Sequence, residues 1–206
     1  MNTSSDAAPM DCDERTELSP DWVPSPEFIG TTNIAWLMQR VGATSYEELH
    51  AWSVQYREAF WAMAIERLGI RFQLPFSRVL GVSRGVEEPH WLVDARLNIV
   101  ESCFAAAADS PAIIYQTEGG ELNVVSIGEL KALTDRVASS LVRRGCAPGD
   151  VVATFMPMTA EAVAVYLGII QAGCVVAGIA DSFRPKEVST RLRLSRAVAV
   201  FTQDIM

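Results

Sequence analysis

Chemistry needs particular residue types at particular spacings, and this chain offers few of them. A zinc site needs closely spaced cysteines, but Cys12, Cys103, Cys146 and Cys174 are scattered and form no Cys-x-x-Cys pair. They suggest neither a metal centre nor a disulfide framework, and they fit a reducing compartment. Cys103 falls on an apolar helical face, so a buried thiol is expected there rather than a nucleophile. His90 has no second histidine nearby and no Asp or Cys spaced to form a dyad on one element. A packing or interface role is therefore expected over catalysis. A phosphate cradle needs a glycine-rich loop between a strand and a helix, whereas Gly119-Gly120 separates two short apolar runs and reads as a hairpin turn. Arg191, Arg193 and Arg196 have the spacing of a solvated helix face. No catalytic and no metal-ligating residue is assigned.

The composition sets the frame for these residues. Of 206 residues, half are hydrophobic and a fifth charged, which is a globular balance with room for a sizeable core. A net charge of −8 argues against nucleic acid as a partner, because phosphate neutralisation needs clustered Lys and Arg. The first residues lack the basic start and apolar core of a signal peptide. The apolar run from Ala160 to Ala180 is interrupted by Gly168, Gln171 and Gly173, so no membrane span is expected.

The elements follow from periodicity and its punctuation. Residues 1–30 are rich in Ser, Asp, Glu and Pro and are expected to be a loose tail. A short helix should run from Thr32 to Val41 and end at Gly42. Ser45 and Glu48 form a capping box, and Leu49, Trp52, Tyr56, Phe60 and Met63 then recur at helical spacing as far as Gly69. That aromatic stripe is read as core packing, with a ligand wall as the alternative. Residues 72–89, divided by Pro75, Gly81, Gly85 and Pro89, read as a loop-rich connection. The chain then runs extended and turns helical near Asn98, a plausible cap. Pro111 to Thr117 and Leu122 to Ser126 form the hairpin, and Ser126 with Glu129 caps a helix carrying Ile127, Leu130, Leu133, Val137 and Leu141 to Gly145. Val151 to Phe155 is a strand buried on both faces, and the helix after Pro157 closes at Gly173. Cys174 to Gly178, a charged helix starting at Pro185, and Val198 to Phe201 complete two βαβ units. The fold class is α/β, with a parallel sheet and flanking helices preceded by a mostly helical extension.

Several of these pieces resemble the opening of the adenylate-forming enzyme domain, the superfamily of acyl-CoA synthetases, luciferases and peptide-synthetase adenylation domains. They are Ser126-Ile-Gly-Glu-Leu with its helix, Pro148-Gly-Asp-Val-Val-Ala, Met156-Pro-Met-Thr-Ala-Glu-Ala and Gly168-Ile-Ile-Gln-Ala-Gly173. The aromatic helix followed by Trp91-Leu-Val-Asp-Ala-Arg-Leu-Asn98 resembles the N-terminal extension of the acetyl-CoA synthetase branch. The run Ala180-Asp-Ser-Phe-Arg-Pro-Lys-Glu and the closing Val200-Phe-Thr-Gln-Asp204 look most like the plant peroxisomal acyl-activating enzymes. The resemblance divides the chain into a tail (1–30), a helical extension (31–104) and the first part of an incomplete, truncated AMP-binding domain (105–206).

What the resemblance implies is a ligase that joins a small carboxylic acid to CoA through an acyl-adenylate, using ATP and magnesium. In that family the phosphate loop, the adenine and ribose motifs and the catalytic lysine lie further along than residue 206. The expectation is therefore a fragment inactive on its own and binding none of these cofactors tightly. The turn that approaches the nucleotide part of CoA in the acetyl-CoA synthetase branch corresponds to Ala180, Asp181, Ser182 and Phe183, with Arg191 as a weak candidate phosphate contact. Asp181 and Ser182 replace flexible glycines there, and a carboxylate would repel phosphate. The bland reading is a polar turn at a helix start. A different class of function is a short form that acts as an interaction module, docking on the full-length enzyme through apolar surface such as Ala160 to Ala172. A free-standing nucleotide-binding domain is weaker, since no glycine fingerprint follows a strand. The resemblance implies a peroxisomal or cytoplasmic location, although Gln203-Asp-Ile-Met206 is not a peroxisomal signal.

Overall fold

A computed structural model describes residues 22–204 apart from residues 83, 84 and 86, so most of the predicted tail lies outside the described residues. The chain divides into two compact units, one ending at Gln55 and one beginning at Tyr56.

The first unit is helical. Inside the stretch expected to be loose, Pro26–Gly30 forms a short helix, α1, whose start is capped by the Ser25 hydroxyl accepting from the Phe28 amide at 3.2 Å. Helix α2 (Asn33–Val41) is capped by Thr32 and ends at Gly42, which adopts φ 76°. Helix α3 (Tyr46–Gln55) starts where Ser45 Oγ accepts from the Glu48 amide at 3.2 Å. The Glu48 carboxylate reaches one residue further back than a simple capping box, accepting from the Thr44 amide at 2.7 Å and hydroxyl at 2.8 Å. Leu37 and Leu49 are the buried apolar residues of this unit.

The helix predicted to continue to Gly69 breaks at Tyr56 (φ −112°, ψ 51°), and α4 (Arg57–Leu68) begins anew. Ser53, Val54 and Tyr56 are weak helix formers, and the Ser53 hydroxyl already donates to the His50 carbonyl at 2.8 Å. The aromatic stripe is thus split between two elements. In the second unit, the segment predicted as loop contains a strand, β1 (Arg78–Leu80), which pairs antiparallel with β2 (Trp91–Val93). A further bridge joins Leu74 and Arg96. Helix α5 (Val100–Cys103) is a single turn whose buried residue is Val100, and Cys103 is exposed, contrary to the buried thiol expected of a longer helical face.

The rest follows the sequence closely. Strands β3 (Pro111–Gln116) and β4 (Leu122–Ser126) form the antiparallel hairpin, with the Gly120 amide bonded to the Thr117 carbonyl at 2.9 Å and Gly119 at φ 69°. Helix α6 (Ile127–Arg143) opens on a full capping box between Ser126 and Glu129. Then come β5 (Val151–Phe155), α7 (Ala160–Gln171), β6 (Val175–Ile179), α8 (Pro185–Ser195) and β7 (Ala199–Thr202). The three strands are parallel in the order β6-β5-β7. Central β5 is buried on both faces, with Val152 and Ala153 at 0% exposure. Leu141, Val152, Val165, Ile169 and Cys174 form the core cluster.

Helices α6 and α7 approach closely because Gly168 presents no side chain to Val137 and the Thr134 carbonyl. Thr134 is fully buried there, and its hydroxyl has no hydrogen-bond partner. Of the expected apolar surface from Ala160 to Ala172, helix α7 buries Ala160, Ala164, Val165, Gly168 and Ile169, and it leaves Tyr166 half exposed, with Met158 in the preceding turn 93% exposed. No described helix is long and apolar enough to cross a membrane.

Candidate functional site

The turn between β6 and α8 lies at the C-terminal end of the parallel strands. Ligands of open α/β sheets sit at that end, where successive crossovers diverge, and the order β6-β5-β7 puts this point beside β5. A groove of about 530 Å³ opens there between the end of β5 and α8, lined by Phe155, Phe183, Pro185, Val188, Leu192 and Arg193.

Local bonds shape the turn as a helix start. The Phe183 amide donates to the Ala180 carbonyl at 3.1 Å. The Arg184 amide donates to the Glu187 carboxylate at 3.0 Å, and Pro185 occupies the first turn, where its missing N–H costs nothing. Of the candidate residues Asp181, Ser182, Phe183 and Arg191, the structure brings two together: the Arg191 guanidinium lies 3.9 Å from the centroid of the Phe183 ring, a cation–π contact. Arg191 Nη1 also donates to the Glu187 carbonyl at 3.4 Å. Asp181 and Ser182 are exposed. With two backbone amides already bonded and the carboxyl groups of Asp181 and Glu187 nearby in sequence, this donor set does not fit a phosphate cradle. Among the described residues, no group of three His, Cys, Asp or Glu could hold a metal ion. His90 is exposed, and its carbonyl accepts from the Gly81 amide at 2.8 Å beside the β1–β2 ladder.

A second constellation was visible in the sequence only as a helix cap. Asn98 Oδ1 accepts from the Val100 amide at 3.2 Å, while Asn98 Nδ2 donates to the Ile170 carbonyl at 2.8 Å at the end of α7. One side chain thus accepts from the first amide of α5, one residue ahead of the N-cap position Ile99, and bonds α7 across 72 residues of sequence. Next to it Gln171 Nε2 donates to Asp135 Oδ1 at 2.7 Å, and Lys131 Nζ meets Asp135 Oδ2 at 2.7 Å. Arg71, Gln73 and Glu101 complete the polar cleft around them. The Gln171 amide, and then Lys131, hold the Asp135 carboxyl below the usual aspartate range. A depressed folded pKa gives stability that is complete above the ordinary value of about 4 and lost as pH falls below it. Asp135→Asn is therefore expected to flatten the acid limb of the stability profile, read as unfolding midpoints in urea at neutral pH and near pH 3. An acid limb as steep as wild type would remove Asp135 from that role.

The family model described as AMP-binding enzyme matches residues 100–206, half of the chain. The chain belongs to the AMP-binding enzyme family. A second family model, described as acetyl-coenzyme A synthetase N-terminus, matches residues 46–103. Among curated relatives, the probable peroxisomal acyl-activating enzyme 18 of Arabidopsis thaliana is 36% identical over 89% of this chain and 28% of its own length. Hexanoyl-CoA synthase of Cannabis sativa is 31% identical over 90% of this chain and 29% of its own. Among solved structures, acetoacetyl-CoA synthetase from Streptomyces lividans superposes with a TM-score of 0.80 at 32% identity, covering 89% of this chain and 30% of that one. The chain spans less than a third of the length of these relatives.

Proposed function

We propose that this chain supplies the scaffold portion of an ATP-dependent acyl-CoA synthetase that converts a small carboxylic acid to its acyl-adenylate and then to the CoA thioester. The observation that carries the reading is the superposition with acetoacetyl-CoA synthetase, which extends through both the helical extension and the parallel sheet. The names of the relatives, an acyl-activating enzyme and a hexanoyl-CoA synthase, point to the same reaction class. The first of them is named as peroxisomal, which supports that location. The described residues of the second unit form the first strands of the adenylating sheet and bond Asn98 to the end of α7. They supply none of the cationic and backbone donors that must offset charge on a transferring phosphate.

Two measurements test this. Pyrophosphate–ATP exchange with acetate or hexanoate should stay at background for these 206 residues alone, and CoA titration should show no saturation below about 1 mM. Placing the chain in a synthetase of this family in exchange for the matching segment should leave exchange measurable. Exchange clearly above background for the isolated chain would overturn the scaffold assignment. A folded chimera devoid of exchange would overturn the synthetase assignment.

The alternative of an interaction module rests on a separate feature: β6 and β7 are the outer strands of the described sheet, with Val175 and Val200 half exposed. Mixing the chain with an intact relative on a sizing column should then give a monodisperse complex rather than aggregates.

A further inference from the structure

We propose that the C-terminal turn of α8 and the entry to β7 form a contact site for an anionic lipid surface, independently of the synthetase reading. Arg184, Lys186, Arg191, Arg193 and Arg196 lie within thirteen residues that contain one acid, Glu187, in a chain whose net charge is −8. Positive charge is thus concentrated on one helix of an acidic protein. Arg191 is committed to the Phe183 ring and the Glu187 carbonyl. Arg193 and Arg196 are exposed, and among the described residues neither forms an ion pair.

Cations at a helix C-terminus offset the carbonyl dipole, and Arg193 in the last turn serves that purpose. The dipole does not explain the apolar residues set among them. Leu194 is 80% exposed and Val198 is 60% exposed, on either side of Arg196. Arg196 itself takes the left-handed conformation (φ 55°) that ends the helix and turns the chain toward β7. Cations interleaved with outward-facing aliphatic side chains suit the boundary between lipid headgroups and acyl chains, where arginine stems and Leu lie below the phosphate level. An acidic protein segment would match the charges and leave Leu194 and Val198 in water. The acidic remainder of the chain does not cancel the attraction, because exposed charges beyond about 10 Å are largely screened.

Co-sedimentation of the chain with vesicles tests the site. Vesicles of phosphatidylcholine and phosphatidylserine at about 2:1 should retain the chain at about 0.1 M salt, where the screening length is about 10 Å, and release it at about 1 M, and pure phosphatidylcholine should retain little. Removing two cations, in Arg193→Ala/Arg196→Ala, should weaken binding about thirtyfold, since each is worth about fivefold near such a surface. Leu194→Ser should weaken it severalfold at unchanged charge. All three positions are exposed, so cooperative thermal melting within about 4 °C of wild type should confirm that the variants are folded, the loss of the Arg193–dipole interaction accounting for the shift. Equal retention on uncharged vesicles, or undiminished binding of the double variant, would overturn the proposal. So would undiminished binding of Leu194→Ser together with retention on immobilised polyglutamate, which would assign the site to an acidic protein.

Discussion

Gly168→Val is expected to destabilise the second unit by more than about 3 kcal/mol and to remove its cooperative urea transition. A Cβ at this position would lie 2.6 Å from both Cβ and Cγ1 of Val137 and 2.9 Å from the Thr134 carbonyl oxygen. The last contact is with backbone, which cannot swing aside as a long side chain can, so α6 and α7 must separate. Two effects oppose each other in the smaller change, Gly168→Ala. Helix propensity favours alanine by about 1 kcal/mol. Overpacking at a buried interface costs about 1–3 kcal/mol, and with two contacts this short the steric term wins. Gly168→Ala should therefore lower the urea midpoint, while Gly178→Ala, where nothing lies within 4 Å, should leave it within error. A Gly168→Ala protein as stable as wild type would show that the two helices tolerate a wider spacing.

Ile169→Ala is the second large effect. Ile169 is 0% exposed and joins α7 to Leu141 of α6, Val152 of β5 and Cys174 before β6. Truncation removes its transfer free energy and leaves a cavity between α6, β5 and the entry to β6, of which β5 and β6 are held together by their parallel ladder. A loss of about 3–4 kcal/mol is expected, against about 1 kcal/mol for Ile169→Val. Equilibrium unfolding in urea measures both. A loss below that of Ile169→Val would mean that the cluster collapses onto the vacated space.

The reasons for success and failure in the sequence differ from place to place. Ser126 and Glu129 announced α6 because both halves of a capping box lie three residues apart, and the bonds that satisfy them are local. Gly42, Gly69 and Gly173 announced helix ends for the same reason. Strand β1 was not legible: Arg78, Val79 and Leu80 are too few to show alternation, and their pairing with Trp91–Val93 is a tertiary fact. The break at Tyr56 was hidden because apolar periodicity runs across it. Cys103 was misjudged because a four-residue helix has no second turn to bury its far side. At the candidate site, the spacing of Phe183 and Arg191 did not reveal that they stack, since the turn brings the ring back over the helix it precedes. Asn98 was expected as the cap, but the helix starts one residue later, with Ile99 at the N-cap, and the bond from Asn98 to the Ile170 carbonyl depends on two elements meeting in space.

The strand order β6-β5-β7 also sets a sequence of assembly. Strand β5 leaves α6 with both edges bare. Val151 meets Val175 of β6 only 24 residues on, whereas Val152 meets Ala199 of β7 after 47. Doubling a loop adds about 0.6 kcal/mol to its closure cost, so the α7 crossover closes first and β7 docks on a pair already formed. In that order the β5–β6 pair closes with Ile169 of the crossover helix packed beside Val152 and Leu141, while Gly168 on the same helix seats α7 against α6.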